Sequence, residues 1–421
     1  MRSPSAKDLP QPWLDVARRI AGRLGERGSR AWIVGGAVRD LALGREPVDV
    51  DMACAAPPEE IQALFDRTLA VGRAFGTIVV HFERDVQVTT FRSESGYSDA
   101  RRPDEVRWGA TPEEDSRRRD FTCNALYLDP LDDTLLDPQG GLADLERGVL
   151  RTVGDPGERF REDGLRLVRM ARFAAQLDLA VEPEVLAAAR REAAALAGVS
   201  PERCLAELTR ILDGRDPARG LGLLREAGLL GRLLPAFDEG WGDGGAAQLA
   251  ALARLGPGVG CALGLAMLLD PHRAAAPDGE AAAAGILEAL RPSRELRRAV
   301  GERWRLAAAV RSALVAASGG SLGRAERVRL VREGAWPDVV RWLRVAGEGG
   351  PQLEALESFA AGLPADERFP APLLGAADLE ARGVPRSARW GALLSELETQ
   401  QLEGRLRTRE QALAWLAAQP L

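Results

Sequence analysis

Two aspartates separated by one residue, Asp49 and Asp51, are the side chains of this sequence best suited to holding a metal ion. Residues 48–52 alternate apolar and acidic side chains, a pattern that predicts a strand, and alternate side chains of a strand point to the same face. Two carboxylates on one face make a hard-oxygen site for Mg²⁺, whose other ligands are usually water molecules and substrate phosphate oxygens. The same spacing is common at solvated strand ends, so the pair alone does not establish a metal site.

A glycine pair, Gly35 and Gly36, lies shortly before the two aspartates, after an apolar stretch at residues 32–34. Glycines let backbone N–H groups approach an anion at the start of a helix. Arg39 lies about one helical turn further along, where its guanidinium group could contact a phosphate. Glycine pairs before helices are common, but a phosphate-binding turn next to a carboxylate pair favours phosphoryl or nucleotidyl transfer with two metal ions.

Residues 35–40, followed by Asp49-Val50-Asp51, resemble the head motif of class II tRNA nucleotidyltransferases and bacterial poly(A) polymerases. The resemblance implies that Asp49 and Asp51 are catalytic and bind Mg²⁺. It also implies an α+β fold, in which a nucleotidyltransferase-type mixed β-sheet head is followed by all-α neck, body and tail domains. The expected ranges are a catalytic head at 1–150, a base-selecting neck at 151–215, a body at 216–350 and a tRNA-binding tail at 351–421.

A second motif, Arg-Arg-Asp-Phe-Thr-Cys-Asn-Ala, occupies residues 118–125. Two arginines and an aspartate at a helix entry could hold a triphosphate and accept a hydrogen bond from a ribose hydroxyl, although the run alone could equally be a surface charge cluster. It resembles the ribose-recognition element of the family. The resemblance implies that Arg118 and Arg119 position phosphates, that Asp120 lies nearest the sugar and that Asn124 belongs to the nucleotide site. A contact with the ribose 2′-hydroxyl would separate ribonucleotides from deoxyribonucleotides.

A third motif occupies residues 155–166 and ends at Arg166. On one helix, Asp163 and Arg166 would be neighbours on the same face. The arginine could donate to the ring nitrogen and carbonyl of cytosine while the aspartate accepts from its amine, and a small rotation would suit adenine. Guanine and uracil would leave groups unpaired, at about 1–3 kcal/mol each. An intrahelical salt bridge is the alternative. The family uses Glu-Asp-x-x-Arg here as a protein template, which implies that Glu162, Asp163 and Arg166, together with Arg169 further along, contact the nucleotide.

Residues 92–111 are polar and rich in turn-forming residues, and we interpret them as a loop carrying Arg92, Arg101 and Arg102. A disordered connection is the alternative. In the family, a flexible loop at this position helps the enzyme change from adding C to adding A.

The composition excludes several classes of site. Two histidines are too few for an HD-type phosphohydrolase or a histidine-ligated zinc site, and four scattered cysteines form no metal-binding spacing. No apolar run is long enough to cross a membrane and no signal-peptide core follows the N-terminus, so we expect a cytoplasmic protein with no membrane partner. The net charge of −6 is unlike that of a nucleic-acid-binding protein, but local patches decide such binding.

The expected reaction is template-independent transfer of CMP and AMP from CTP and ATP to the 3′ end of tRNA, with the oligomeric state unknown. Within the family, the alternatives are an A-adding tRNA nucleotidyltransferase and a poly(A) polymerase, and Phe75-Gly76-Thr77 favours a tRNA enzyme. From another class, the alternative is an RNA-binding homologue without catalysis. Gln87 supports that alternative, because the family usually has glutamate there; Asp85, on the same face of the predicted strand, is the candidate substitute.

The periodicity of the sequence also predicts individual elements. Ser200 and Pro201 are expected to begin a helix. Strands are expected at 68–72, 76–82 and 86–91, and helices at 8–28, 57–65, 216–230, 246–269, 279–312 and 321–346.

Overall fold

The computed structural model describes residues 3–71, 76–95, 105–234, 245–271, 278–319, 322–384 and 389–419. The chain divides into two compact units. One comprises Met1–Pro235 with Ala289–Arg291, and the other Ala236–Glu288 with Pro292–Leu421. The finer division into head, neck, body and tail stays a prediction.

A mixed β-sheet of seven strands dominates the first part of the first unit. The strands from residues 31 to 136 are β1 (Ala31–Val34), β2 (Asp51–Cys54), β3 (Thr68–Ala70), β4 (Thr77–His81), β5 (Asp85–Thr90), β6 (Arg92–Ser95), β7 (Glu105–Trp108), β8 (Tyr127–Leu128) and β9 (Leu135–Leu136). The order in the sheet is β3-β4-β5-β2-β1-β8-β9, while β6 and β7 form a separate hairpin. Strand β2 runs parallel to β5, with Met52 opposite Val88, and antiparallel to β1. The predicted mixed sheet is therefore confirmed.

Burial explains why the central strands position the motifs. All four residues of β1 are buried, and Ile33 and Met52 are fully enclosed. Helix α1 (Gln11–Gly25) buries Val16, Ile20 and Leu24, which recur at helical spacing. The other helices of this part are α2 (Gly36–Ala42), α3 (Pro58–Leu64), α4 (Pro112–Arg117) and α5 (Gly141–Arg147). Because β1 and β2 are fixed by this core, the residues at their ends are held in place.

Helices make up most of the remainder of the first unit. They are α6 (Pro156–Glu162), α7 (Leu165–Leu177), α8 (Pro183–Arg191), α9 (Pro201–Leu212), α10 (Pro217–Glu226) and α11 (Leu230–Leu233). A short parallel pair, β10 (Val149–Leu150) and β11 (Ala180–Val181), lies among them. Ser200 occupies the N-cap position of α9 as predicted, although its side chain does not make the capping hydrogen bond.

The described residues of the second unit form helices without strands. The helices are Ala246–Leu255, Cys261–Leu268, Gly279–Ala289, Arg294–Gly319, Arg324–Val331, Trp336–Val345, Gly350–Gly362, Ala365–Arg368, Ala376–Ala381, Arg389–Leu402 and Arg409–Ala417. Leu379, Leu397 and Leu416 belong to the apolar core of the last part of the chain. In the described part of the protein, no helix has both the length and the apolar character needed to cross a membrane.

Three long predicted helices are wrong in one respect, because each is divided into two. The predicted helix at 246–269 is interrupted by Gly256, Gly258 and Gly260, all at positive φ, a conformation that glycine adopts without strain. Pro292 and the positive φ of Arg291 interrupt the predicted helix at 279–312. The helix predicted at 321–346 also forms two shorter ones, whereas the helix predicted at 216–230 is confirmed as α10.

The prediction of a loop over 92–111 is also partly wrong. Strands β6 and β7 pair there, with Arg92 directly opposite Trp108. Arg101 and Arg102 lie outside the described residues.

Candidate active site

A cleft of about 690 Å³ in the first unit brings the three sequence motifs together. Nine arginines and four aspartates line it, so the cleft is strongly positive although the whole chain carries −6. Its predicted site residues are Gly35, Gly36, Arg39, Asp49, Asp51, Arg92, Arg118, Arg119, Asp120, Asn124, Asp163, Arg166 and Arg169. Glu162 does not line the cleft but binds Arg166, which does. A cleft of this charge suits a polyanionic ligand.

Asp49 and Asp51 reach the same cleft by a different route from the one predicted. Strand β2 begins at Asp51, so Asp49 lies in the preceding loop, and the expectation that both are on the strand is wrong. Surrounding protein atoms and the like charge of Asp49 raise the pKa of Asp51 to about 6, although Arg119 opposes the rise. The side chain of Asp51 opens into the cleft. Because the two negative charges repel each other, a cation bound between the carboxylates would be stabilised.

The donor set fits Mg²⁺. The residues that the structure describes contain no group of three or more His, Cys, Asp or Glu side chains able to hold a metal ion. Mg²⁺ does not require such a group, because one or two carboxylates together with substrate phosphates and water complete its coordination. Asp49 and Asp51 supply two carboxylates at the cleft.

Gln87 lies on β5, next to β2, and lines the cleft together with Thr89. Asp85 lies on the same face of β5, as expected from the alternation of side chains. Its carboxylate pairs with Nδ1 of His81 at 2.7 Å and does not line the cleft. The structure therefore places a neutral amide, and not the carboxylate of Asp85, in the cleft.

Gly35 makes room for an arginine. Its φ of +70° is in the left-handed region, and a Cβ atom there would lie 3.2 Å from Nη1 of Arg119. Arg39, one turn into α2, donates from Nη1 to Oδ1 of Asn124 at 2.7 Å and from Nε to Asp40 at 2.9 Å. The glycine turn and the second motif are thus packed directly against each other.

Arg118 and Arg119 share one buried carboxylate. They follow the C-terminus of α4, and the helix that they precede is only a 3₁₀ turn, Thr122–Asn124. Nε of Arg118 and Nη2 of Arg119 donate to opposite oxygens of Asp115 at 2.8 and 3.1 Å, and the hydroxyl of Tyr127 also donates to Asp115 at 2.8 Å. Burial alone would raise the pKa of Asp115, but the two guanidinium groups hold it below its usual value. Two positive charges over one negative charge leave this pair suited to a phosphate.

Asp120 is saturated with protein donors. Its Oδ2 accepts hydrogen bonds from Nε and Nη2 of Arg169 at 2.8 and 2.6 Å. Its Oδ1 accepts from the backbone N–H of Phe121 at 2.8 Å and from Nδ2 of Asn124 at 3.1 Å. Burial opposes ionisation, yet the charge of Arg169 and these donors hold the pKa of Asp120 far below its usual value. These four donors occupy all of the roughly four acceptor positions of a carboxylate.

The residues predicted to select the base lie on either side of a helix break. Helix α6 ends at Glu162, Asp163 has extended backbone angles and α7 begins at Leu165, so the prediction of one helix is wrong. Gly164, within the break, packs closely against the neighbouring backbone, because a Cβ atom there would lie 2.3 Å from the carbonyl oxygen of Ala195. Asp163 and Arg166 nevertheless line the same cleft.

Asp163 and Arg166 each have partners of their own. Oδ2 of Asp163 accepts from Nη2 of Arg203 at 2.8 Å. Arg166 donates from Nη1 to Glu162 at 2.5 Å and from Nη2 to the carbonyl of Arg118 at 2.9 Å. The salt bridge between Asp163 and Arg166 considered from the sequence is not found among the described residues.

Three further arginines, which the sequence did not single out as site residues, also line the cleft. They are Arg172, Arg203 and Arg210. Arg172 continues the three-residue spacing of Arg166 and Arg169 on α7, and this spacing was a usable signal. Arg203 and Arg210 lie seven residues apart on α9, so they share one face.

Family models match two parts of the chain. Residues 31–151 match the poly(A) polymerase head domain, and residues 178–240 match a probable RNA- and SrmB-binding site of polymerase A. The first match contains the glycine turn, the carboxylate pair and the second motif. These matches support a relationship of this part of the chain to class II CCA-adding enzymes and bacterial poly(A) polymerases.

Curated CCA-adding enzymes resemble about half of the chain. The enzyme of Levilactobacillus brevis is 45% identical over 222 residues, which are 52% of this chain and 55% of the relative. The enzyme of Geobacillus stearothermophilus is 44% identical over 220 residues, which are 52% of this chain and 54% of the relative. The chain therefore spans about half the length of the curated relatives it matches.

Solved structures of CCA-adding enzymes match almost the whole length. The Bacillus stearothermophilus CCA-adding enzyme in complex with CTP is 29% identical, with a TM-score of 0.75 over 97% of this chain and 98% of that one. The Thermotoga maritima CCA-adding enzyme complexed with tRNA is 19% identical, with a TM-score of 0.67 over 99% of each chain, and shows likeness of fold alone. The predicted α+β fold is confirmed by these matches.

Proposed function

We propose that this protein is a CCA-adding tRNA nucleotidyltransferase, which transfers CMP and AMP from CTP and ATP to the 3′ end of tRNA without a nucleic-acid template. The observation that carries the proposal is the cleft, because it combines a metal-type carboxylate pair, a phosphate-type arginine pair and a pair of side chains able to read a base. The curated and solved relatives named above support it. A role in tRNA processing implies the cytoplasm as its compartment.

Asp49 and Asp51 are the residues that would hold the cofactor, Mg²⁺. When bound, Mg²⁺ would favour deprotonation of the primer 3′-hydroxyl and neutralise charge on the triphosphate. The carboxylates themselves fix where the reacting groups meet, because both open into the cleft.

The arginines position the triphosphate. Arg118 and Arg119 are held from behind by Asp115, so their guanidinium groups lose little conformational freedom when phosphate binds. Arg39 is held in the same way by Asp40 and Asn124. Such donors, fixed before the reaction begins, stabilise the charge that builds up as pyrophosphate leaves.

Asp163 and Arg166 select the base through complementary hydrogen bonding. An ion pair with Arg203 holds Asp163 in place, and an ion pair with Glu162 holds Arg166. An aspartate acceptor and an arginine donor match the edges of cytosine and adenine, whereas uracil and guanine would leave buried groups unpaired. This arrangement accounts for a choice between nucleotides in the absence of a nucleic-acid template.

A second candidate function rests on Gln87. A neutral amide where the family usually has glutamate favours an RNA-binding homologue without catalysis, because the amide adds no negative charge to the metal site. An A-adding enzyme or a poly(A) polymerase would use the same cleft. Of the segment that favours a tRNA enzyme, Phe75 lies outside the described residues.

One experiment separates these functions. The purified protein is incubated with Mg²⁺, each labelled nucleoside triphosphate in turn, and tRNA transcripts that lack CCA, end in CC or end in CCA. A CCA-adding enzyme incorporates CMP into the first, AMP into the second and nothing into the third. AMP incorporation into the second only indicates an A-adding enzyme, and long A tails indicate a poly(A) polymerase. Failure with every transcript contradicts the proposal.

A further inference from the structure

Two arginines of the cleft that the proposed reaction does not use, Arg172 and Arg210, converge on one buried carboxylate. Nε of Arg172 lies 2.5 Å from Oε2 of Glu207, and Nη1 of Arg210 donates to Oε1 at 2.7 Å. Glu207 is only 2% exposed. Arg169 lies further away, with Nη1 at 3.8 Å from Oε1, and has Asp120 as its main partner. Glu207 is therefore shared mainly by Arg172 and Arg210.

The charges at this point do not balance. In the described structure, the ion pairs of Arg172 and Arg210 all go to Glu207, so one positive charge is left over. The other partner of Arg172 is the neutral amide oxygen of Gln176, at 3.1 Å. The same ratio of two arginines to one buried carboxylate occurs at Arg118 and Arg119 over Asp115, the pair to which the proposed function assigns phosphate binding.

The environment of Arg172 adds to the imbalance. Its side chain is 11% exposed and its guanidinium carbon lies 3.9 Å from the centre of the Phe173 ring. Burial lowers the pKa of Arg172 to about 10, and the nearby charges of Arg169 and Arg210 add to this effect against the attraction of Glu207. Nε of Arg172 and Oε2 of Glu207 are close, but neither atom makes a well-oriented hydrogen bond. An additional anion in the cleft would offset this excess of positive charge and give the guanidinium group of Arg172 a further partner.

We propose that Arg172 and Arg210, held by Glu207, form a second phosphate-binding site in the cleft. The inference rests on the proposed function for its ligands. The ligand is a phosphate group, which has two sources there: the backbone of the acceptor RNA near its 3′ end, or the incoming nucleoside triphosphate. Both arginines line the cleft, so either source can reach them.

The variant that tests the site is Arg210→Gln, because the Arg210 side chain is 56% exposed and its loss should not prevent folding. The matched control is Arg147→Gln. Arg147 is 63% exposed, pairs with the buried Asp144 three residues earlier and does not line the cleft. Arg172→Gln is a second test of the same site. Thermal unfolding of all variants is compared with that of the wild type.

Equilibrium binding of two probes then distinguishes the sources. The first probe is tRNA lacking CCA, titrated at several salt concentrations, and the second is CTP compared with cytidine. If RNA supplies the phosphate, Arg210→Gln weakens RNA binding about three- to tenfold and lowers the slope of log K against log salt by about 0.7–0.9, because one phosphate contact is lost. If the nucleotide supplies it, CTP binding weakens by a similar factor while cytidine binding is unchanged.

Either result supports the site. The proposal is overturned if Arg210→Gln and Arg172→Gln bind both probes as well as Arg147→Gln does. Because binding is measured without turnover, a wild-type protein that binds the probes through these arginines but adds no nucleotide would contradict the proposed function and leave the phosphate site intact.

Discussion

Arg169 donates two hydrogen bonds to a single oxygen of Asp120, Oδ2, at 2.8 and 2.6 Å. The other oxygen already accepts from Asn124 and from the backbone N–H of Phe121. A ribose hydroxyl could bind Asp120 only by displacing one of these donors. The role of Asp120 in sugar recognition stays a prediction, and the geometry indicates that Arg169 shares it.

We therefore expect Asp120→Asn and Arg169→Gln to lower the preference for CTP over dCTP by about ten- to a hundredfold each, the range that corresponds to a hydrogen bond to a charged group. The double variant should lose no more than either single one, because the two residues act as a unit. The ratio of kcat/KM for the two nucleotides is the measurement. An unchanged ratio in Arg169→Gln, with a lowered ratio in Asp120→Asn, would show that Asp120 acts alone.

Asp49→Ala and Asp51→Ala should each reduce nucleotide addition to below about a few per cent of the wild type, since metal-assisted stabilisation is worth several kcal/mol. Folding and RNA binding should stay nearly unchanged, because both side chains open into the cleft and not into the core. Asp85→Ala is the matched control, an exposed aspartate on the neighbouring strand β5. Substantial turnover in either test variant would remove that residue from the metal site.

Arg166→Ala should weaken selection against UTP and GTP as well as slow the reaction, because the donor that matches cytosine and adenine is lost. Misincorporation is measured with each triphosphate on tRNA lacking CCA. Arg161→Ala serves as the control, since Arg161 pairs with Glu192 and does not line the cleft. A slower variant with unchanged selectivity would mean that Arg166 has a structural role only.

Gln87→Glu should change the apparent affinity for Mg²⁺ modestly and leave the identity of the product unchanged, because Asp49 and Asp51 already supply the carboxylates. The measurement is initial rate against Mg²⁺ concentration, with the products sequenced. If the wild type is inactive at every Mg²⁺ or Mn²⁺ concentration and this substitution restores activity, then the natural cleft lacks a necessary charge and the chain is an RNA-binding homologue.

The sequence identified the residues of the cleft better than the local structure that carries them. Asp49 and Asp51 were expected on one strand, but Asp49 lies in the loop that precedes β2, although both side chains are exposed and line the cleft as the alternation predicted. Asp163 and Arg166 were expected on one helix, although Gly164 between them was a visible signal for a break. The motifs predicted which residues line the cleft, because that prediction depends on residue type and spacing. The path of the backbone between those residues depends on packing, which the motifs do not specify.

Arg172 and Arg210 show a different limit. Each could be read from the sequence as an exposed helical arginine, and nothing local reveals that both would share Glu207, because Arg172 lies on α7 and the other two residues on α9. Contacts between helices depend on how the helices pack, and a single sequence does not contain that information directly. The hairpin within residues 92–108 was missed for a similar reason, since polar residues give weak strand signals.

The close approach of Gly164 to the backbone of Ala195 has a consequence for how nucleotide choice can vary. The φ of Gly164 is −58°, which any residue can adopt, so the need for glycine there is one of space and not of conformation. Any larger residue at 164 would clash with the backbone of Ala195, so either the 3₁₀ segment Ala193–Gly198 or the break that carries Asp163 would have to shift. The base selection proposed for Asp163 would therefore depend on a segment that does not line the cleft, and substitutions within that segment would be expected to alter nucleotide preference.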